Sequence, residues 1–209
     1  MAITKFPHIN SADEHGLLAV GGDLEVESLL LAYKSGIFPW PLDDEYLTWF
    51  SPPKRAILFF ENFKINKSLK KAIKNTPYEI KINTNFEQVI KNCAQAKRPK
   101  QNGTWITDEM VQAYIDLHNT GYADSYEVYI NKELVGGIYG VRINKLFSAE
   151  SMFHKTPNAS KIALYSLVHD LKFKGFTFID CQVQNPFLET LGVTEIERGE
   201  YLKMLEGSI

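Results

Sequence analysis

The stretch SYEVYINKELVGGIYGV, residues 125–141, decides the fold class. Its two runs, rich in aromatic and β-branched residues, flank Asn131-Lys132 and read as two strands joined by a tight turn. KLFSAESMF, residues 145–153, adds a third strand. Asn158 then starts a helix that stops near Gly175, and FTFIDCQV, residues 176–183, returns as a strand. Upstream lie a strand AILFF (56–60), a helix over NKSLKKAIKN (66–75), a strand YEIKI (78–82) and a helix from Phe86 to Ala94. A further helix is capped by Thr107, with Asp108 and Glu109 in its first turn. An antiparallel meander followed by a helix and another strand makes a mixed α+β domain whose sheet is mainly antiparallel.

The first fifty or so residues have a different character. They combine the turn GGDL, a short amphipathic helix from Val26 to Lys34, and the aromatic, proline-punctuated stretches GIFPWP and YLTWFSPPKRA. This predicts a small N-terminal domain over residues 1–54, held by Trp and Phe packing, and a larger one over residues 55–209. The chain of 209 residues is 44% hydrophobic and 23% charged, which excludes disordered and collagen-like architectures. Its longest apolar runs, GLLAVGG and ESLLLAY, are too short to cross a bilayer. The N-terminus MAITKFPHIN lacks the layout of a signal peptide, so a cytoplasmic location and no membrane partner are expected. Cys93 and Cys181 have no second Cys or His at metal-ligand spacing, and the five histidines are scattered. Neither a metal nor a Cys-His nucleophile is expected.

A formal net charge of −2 argues against a general nucleic-acid coat but leaves room for a local basic patch. In NKSLKKAIKN, helical geometry places Lys67, Lys70, Lys71 and Lys74 within roughly a 100° arc, opposite Leu69, Ala72 and Ile73. No acidic residue lies three or four positions from these lysines, so the face reads either as a site for RNA or another polyanion, or as a solvated surface. A second basic run, KRPKQNG from Lys97 to Gly103, reads as a mobile loop.

DCQVQN, residues 180–185, places a carboxylate and amides at the end of an apolar strand. Alternation puts Phe176, Phe178, Asp180 and Gln182 on one face, with Asp180 and Gln182 about 6.6 Å apart along the strand. Both would then reach one small reacting group. Asn185-Pro186 makes a good helix start, and Gly192 a good stop.

The order of meander, helix and strand is similar to the acetyltransferase superfamily, whose members hold the coenzyme pyrophosphate on a glycine-rich turn. The matching connection here, ESMFHKTPNASK (150–161), has no glycine, so no acyl-coenzyme A cofactor is expected. With GGDL, GIFPWP, FSPPKRA, GTWIT, LVGGIYG, ESMFHKTPNASK and DCQVQN in one order, the chain resembles the leucyl/phenylalanyl-tRNA–protein transferase family from about residue 6 to residue 205. The resemblance implies a small N-terminal domain, an acetyltransferase-like C-terminal domain, and no metal or coenzyme. It also implies transfer of Leu or Phe from Leu-tRNA or Phe-tRNA to acceptor proteins with N-terminal Arg or Lys, which marks them for degradation as an N-degron.

Residue by residue, the resemblance implies that Trp105, Ile138, Phe147, Leu167 and Leu171 line the pocket for the donor's side chain. Taken singly, Leu167 and Leu171 read as ordinary core; Trp105, between a basic loop and a helix cap, does not. Ile138 stands where a methionine is usual, and Leu167 and Leu171 where phenylalanines are, so the wall is more aliphatic. The chain also stops at YLKMLEGSI, without the longer tail of those relatives. Glu150 matches a site position able to bind an amino group or a guanidinium. Tyr33 and Trp40 match positions near the terminal adenosine, suited to stacking on a base, although Trp40 also reads as core. Lys67, Lys70, Lys71 and Lys74 match the helix that grips the tRNA acceptor stem.

The implied reaction is attack of an α-amino group on the ester that links an amino acid to the tRNA's terminal ribose. The family positions matching Asp180 and Gln182 are assigned to a proton relay, but an amide oxygen is far too weak a base to hold a proton. Gln182 is better cast as orienting the amine through its oxygen. Asp180 would then fix the side-chain amide and offset the charge developing on nitrogen. Asn185 would cap its helix and could also contact substrate. Two other readings stay open: an acyl-coenzyme A N-acetyltransferase, and a tRNA-binding module without chemistry.

Overall fold

The computed structural model describes residues 2–41, 46–96 and 105–209, so the basic run from Lys97 to Gly103 lies outside the described residues. The N-terminal part forms strands β1 (Leu17–Val20), β2 (Phe38–Pro39) and β3 (Thr48–Phe50), with helix α1 (Val26–Lys34) between the first two. They pair antiparallel in the order β1-β3-β2. The rest builds β4 (Lys54–Phe59), α2 (Lys67–Asn75), β5 (Glu79–Ile82), α3 (Phe86–Ala94), α4 (Asp108–Asn119), β6 (Ala123–Ile130), β7 (Glu133–Ile143) and β8 (Leu146–His154). It ends with α5 (Ala159–Phe173), β9 (Phe178–Asp180), α6 (Pro186–Leu191), β10 (Thr194–Glu197) and α7 (Arg198–Glu206). The seven strands of this part form one sheet in the order β10-β4-β9-β8-β7-β6-β5, antiparallel throughout except between β8 and β9. This is the expected α+β, acetyltransferase-like layout: a meander, then a helix, then a strand that returns parallel to the meander's last one. No helix among the described residues is long and apolar enough to cross a membrane.

Local chemistry accounts for these elements. Asn131 and Lys132 both take positive φ, 51° and 68°, which a two-residue hairpin needs to match strand twist. Asn66 caps α2 through Leu69 N–H at 2.8 Å, and Thr107 caps α4 through Met110 N–H at 3.2 Å. Asn158 occupies the position before α5 with a left-handed φ of 68° and makes no side-chain cap; its amide instead donates to Ser68 Oγ on α2 at 3.1 Å.

The sheet is covered on both faces. Below it, α5 packs Ala163, Leu164, Leu167 and Leu171 against Tyr126, Val128 and Ile138. Above it, α3 and α4 share one apolar cluster with Leu29, Tyr33, Phe38 and Trp49 of the N-terminal part. The small three-stranded sheet thus draws its burial from the larger part.

Three sequence expectations shift. The strand expected over residues 176–183 is limited to Phe178–Asp180. Gln182 takes a left-handed φ of 57°, which ends the alternation, so it is not the strand neighbour of Asp180 on one face. The 56–60 strand starts at Lys54 and gives way to a 3₁₀ turn at Phe60. The elements β1, β2, β3, β10 and α7 were not expected.

Between β7 and β8 the register slips by one: Tyr139 faces Ser151, but Gly140 faces Ala149. Glu150 is the extra residue of a β-bulge, which turns its side chain out of the regular alternation. Gly140 permits this, because a Cβ there would lie 2.3 Å from the Ser148 carbonyl oxygen and 2.6 Å from the Phe147 ring. Gly140→Ala is therefore expected to cost about 1–3 kcal/mol of stability. Gly199→Ala on α7, where nothing lies within 4 Å, is expected to gain about 0.5–1 kcal/mol. Urea denaturation of the two variants checks the contrast.

Candidate active site

The parallel strands β8 and β9 share a single register pair, Ser148 with Asp180. Beyond it, Cys181 N–H donates to the Ala56 carbonyl at 2.8 Å and Ala56 N–H to the Gln182 carbonyl at 3.1 Å, so the chain stays on β4 and leaves β8. The result is a fork. Across its mouth Gln182 Nε2 donates to Glu150 Oε1 at 2.7 Å.

Asp180 closes the base of the fork. It is fully buried, and both oxygens are engaged. Arg55 donates through Nε to Oδ1 at 2.7 Å and through Nη2 to Oδ2 at 2.6 Å. Ser148 Oγ and Tyr201 OH donate to Oδ2 at 3.0 and 2.9 Å, and the backbone N–H of Gln182 donates to Oδ1 at 3.0 Å. Arg55 is 1% exposed, lies between the Phe38 and Tyr201 rings, and donates through Nη1 to the Gly36 carbonyl at 3.1 Å. Burial alone would lower the guanidinium's pKa, but the Asp180 carboxylate more than reverses this and holds it above the usual arginine range.

This corrects the role expected of Asp180. With no exposed surface and both oxygens occupied by protein donors, it does not touch substrate, and its charge reaches the fork only through space, as it does at Glu150. It fixes the backbone of Gln182, not its side-chain amide.

Glu150, on the bulge and partly buried, is the carboxylate that faces the fork. Tyr114 OH donates to its Oε2 at 3.2 Å, and the Tyr33 hydroxyl lies 2.6 Å from that of Tyr114. Burial pushes the Glu150 carboxyl up from 4.5 to about 8; the tyrosine hydroxyls oppose this and the nearby Asp180 charge adds to it. Burial, with Glu150 close by, keeps both phenols well above their ordinary range, so they remain donors. Gln182 is itself 6% exposed; its Nε2 is taken by Glu150, and no donor among the described residues engages its Oε1.

The other expected residues fall in distinct places. Tyr33 is 1% exposed, which overturns base stacking for its ring; its hydroxyl lies against that of Tyr114 and interacts with Glu150. Trp40 and Trp105, both partly exposed, stack on each other at 5.7 Å and 16°. Ile138, Phe147, Leu167 and Leu171 are buried together under α5, whereas Trp105 packs with the cluster on the sheet's opposite face. The structure therefore does not gather all five into one open pocket. Asn185 caps α6, its Oδ1 accepting from Phe187 and Leu188 N–H at 3.0 Å each, which leaves only its Nδ2 for another contact. Lys67, Lys70, Lys71 and Lys74 are all exposed along one side of α2, with Leu69 buried on the other.

Sequence reasoning gave no role to Arg55, Ser148, Tyr114 or Tyr201. The available signal was Arg55 itself, a charge directly before the apolar run that begins at Ala56. No cluster of three or more His, Cys, Asp or Glu that could hold a metal occurs among the described residues.

Residues 57–206 match the family described as leucyl/phenylalanyl-tRNA protein transferase, and residues 22–53 match that family's N-terminal domain. The chain belongs to this family. A leucyl/phenylalanyl-tRNA–protein transferase of Flavobacterium johnsoniae is 48% identical over 201 residues, covering 96% of this chain and 95% of that one. One from Pseudoalteromonas atlantica is 50% identical over 197 residues, covering 94% of this chain and 84% of that one. Among solved structures, FemX shares the fold at a TM-score of 0.52 and 11% identity, over 82% of this chain and 66% of that one.

The raised carboxyl of Glu150 has a consequence for stability. A folded-state pKa of about 8 against an ordinary 4.5 means that the native protein holds this proton more tightly than the unfolded chain. The stability contributed by that proton is present below pH 4.5 and is lost as pH rises to about 8. Glu150→Gln is expected to remove the loss, so the urea midpoint of the variant should gain on the parent's between pH 5 and pH 8 and hold that lead above it.

Proposed function

We propose that the protein transfers leucine or phenylalanine from aminoacyl-tRNA to the α-amino group of proteins beginning with Arg or Lys, in the cytoplasm, marking them for degradation. The observation that carries this reading is the match of both family models together with relatives of that name at 48% and 50% identity. The fork supports it with a site suited to an amine. Gln182 offers a side-chain oxygen that no protein donor uses, and the rest of its amide is held by Glu150. The incoming amine donates one N–H to that oxygen and is aimed at the ester carbonyl. Glu150, at about 8, is matched to an α-amino group of about 7.7–8.0 and takes the proton that the nitrogen sheds as the new C–N bond forms. The ester's C–O bond breaks, and the ribose oxygen takes up the proton that Glu150 gives back and leaves as a hydroxyl. Trp40 and Trp105 offer aromatic faces to the terminal base. The family resemblance assigns the donor's apolar side chain to Ile138, Phe147, Leu167 and Leu171, which are buried here at 0–1% exposure and must part to seat it. The lysine face of α2 takes the acceptor stem.

Transfer of labelled leucine from charged tRNA to a peptide beginning with Arg, against one beginning with Ala, tests the reading. Label on the Arg peptide alone is expected; label on neither, with tRNA still bound, would leave a binding protein. Under the same assay Gln182→Ala should lower kcat while leaving the KM for charged tRNA unchanged. Lys70→Ala/Lys71→Ala should raise that KM and reduce the salt dependence of tRNA binding by a slope of about 2. Below pH 7 the logarithm of kcat/KM for the peptide should rise with a slope approaching 2 in the parent, one proton each from the amine and Glu150. A slope near 1 is expected for Glu150→Gln.

A further inference from the structure

Arg55 joins three segments that are distant in sequence. Its fork holds Asp180 of β9, its Nη1 holds the Gly36 carbonyl in the turn after α1, and its faces are covered by Phe38 of β2 and Tyr201 of α7. The turn fits closely because residue 36 is glycine: a Cβ there would lie 2.8 Å from Leu202 and 3.2 Å from the Tyr201 ring. The 36–38 segment and Asp180 lead directly to site groups. Tyr33 stands three residues before Gly36, Trp40 two residues after Phe38, and Gln182 two residues after Asp180.

A buried ion pair is weak as a source of net stability, since apolar residues of similar volume often serve as well. What it supplies is direction. The planar guanidinium fixes a carboxylate at two points, a carbonyl at a third and two ring planes, a set that no ammonium could meet.

We propose that Arg55 and Tyr201 are positioning residues for the transfer reaction: by clamping Asp180 they set Gln182 against Glu150 and hold the segment carrying Tyr33 and Trp40 in register with both. Neither touches substrate. Tyr201 brings the C-terminal helix into the catalytic apparatus through one hydroxyl, at 2.9 Å from Asp180 Oδ2. The inference rests on the aminoacyl-transfer reading above.

Single-turnover transfer at saturating charged tRNA and peptide, expressed per folded molecule, tests it. Arg55→Met/Asp180→Asn removes both charges and so avoids stranding one in the interior. Its rate is expected to fall about 100-fold, the scale of an ångström-level misplacement of reacting groups, with the KM for charged tRNA unchanged. Tyr201→Phe keeps the ring over Arg55 and loses only the hydroxyl; a fall of about tenfold is expected, again in kcat alone. Arg55→Lys, which keeps the charge but not the fork, should fail to restore the rate. Parental turnover per folded molecule in Tyr201→Phe, or in the double variant, would overturn the proposal, as would a loss accounted for by the unfolded fraction alone. Should the double variant not fold, Tyr201→Phe decides by the same readout. Absence of transfer by the parent protein would strike at the proposed function instead.

Discussion

The ion pair between Arg55 and Asp180 sits where the molecule's parts meet, with almost no surface exposed on either partner. A charge so deep in the interior is tolerated only if every lone pair and N–H finds a partner. Asp180 meets that demand with donors from Arg55, Ser148, Tyr201 and the Gln182 backbone; Arg55 meets it with the carboxylate, a backbone carbonyl and two aromatic faces. The positions of β4, β8, β9, α7 and the N-terminal turn are therefore mutually fixed. The N-terminal sheet shares its apolar cluster with α3 and α4, so the polar clamp and the hydrophobic packing impose the same arrangement.

Above that clamp the site arises from two departures from regular strand geometry. One is the bulge that turns Glu150 toward the fork, allowed by the missing side chain at Gly140. The other is the left-handed backbone at Gln182, pinned by the hydrogen bond from its own N–H to Asp180. Strain of this kind persists where surrounding structure over-determines it, and here it brings the Gln182 amide, just past the end of β9, to 2.7 Å from the Glu150 carboxyl on β8. Asp180 has a buried cation bonded to it. Glu150 is bonded only to neutral hydroxyls and an amide, and burial drives its carboxyl up. Two carboxylates in one site thus sit in opposite surroundings, one paired with a buried cation and one bonded only to neutral groups.

The sequence states the fold through local signals and hides the site in long-range ones. Val26–Lys34 and Phe86–Ala94 form helices with the bounds that their periodicity predicts, and Thr107 and Asn185 cap where they are expected to. The lysine face of α2 was equally legible, because a nine-residue helix carries its own geometry. Asp180 and Gln182 stood out by residue type, but their roles depend on Arg55, 125 residues away in sequence, and on Tyr201 in a helix with little amphipathic pattern. The Glu150 bulge leaves no mark on strand alternation that one sequence can reveal. Strands as short as β2 and β9 draw their pairing from partners and not from propensity. The buried wall under α5 and the Trp40–Trp105 stack lie on opposite sheet faces, a separation that only the folded chain defines.

The measurement that bears most directly on the clamp is hydrogen exchange at the Gln182 amide. This N–H lies in a short, irregular connection that would ordinarily exchange as a loop, yet it is bonded to a fully buried carboxylate. Resolved by NMR, it is expected to exchange as slowly as the core amides of β6 and β7, opening only with global unfolding. Exchange at the rate of an exposed loop would show that Asp180 does not hold the fork, and would contradict the assignment of its charge to the frame.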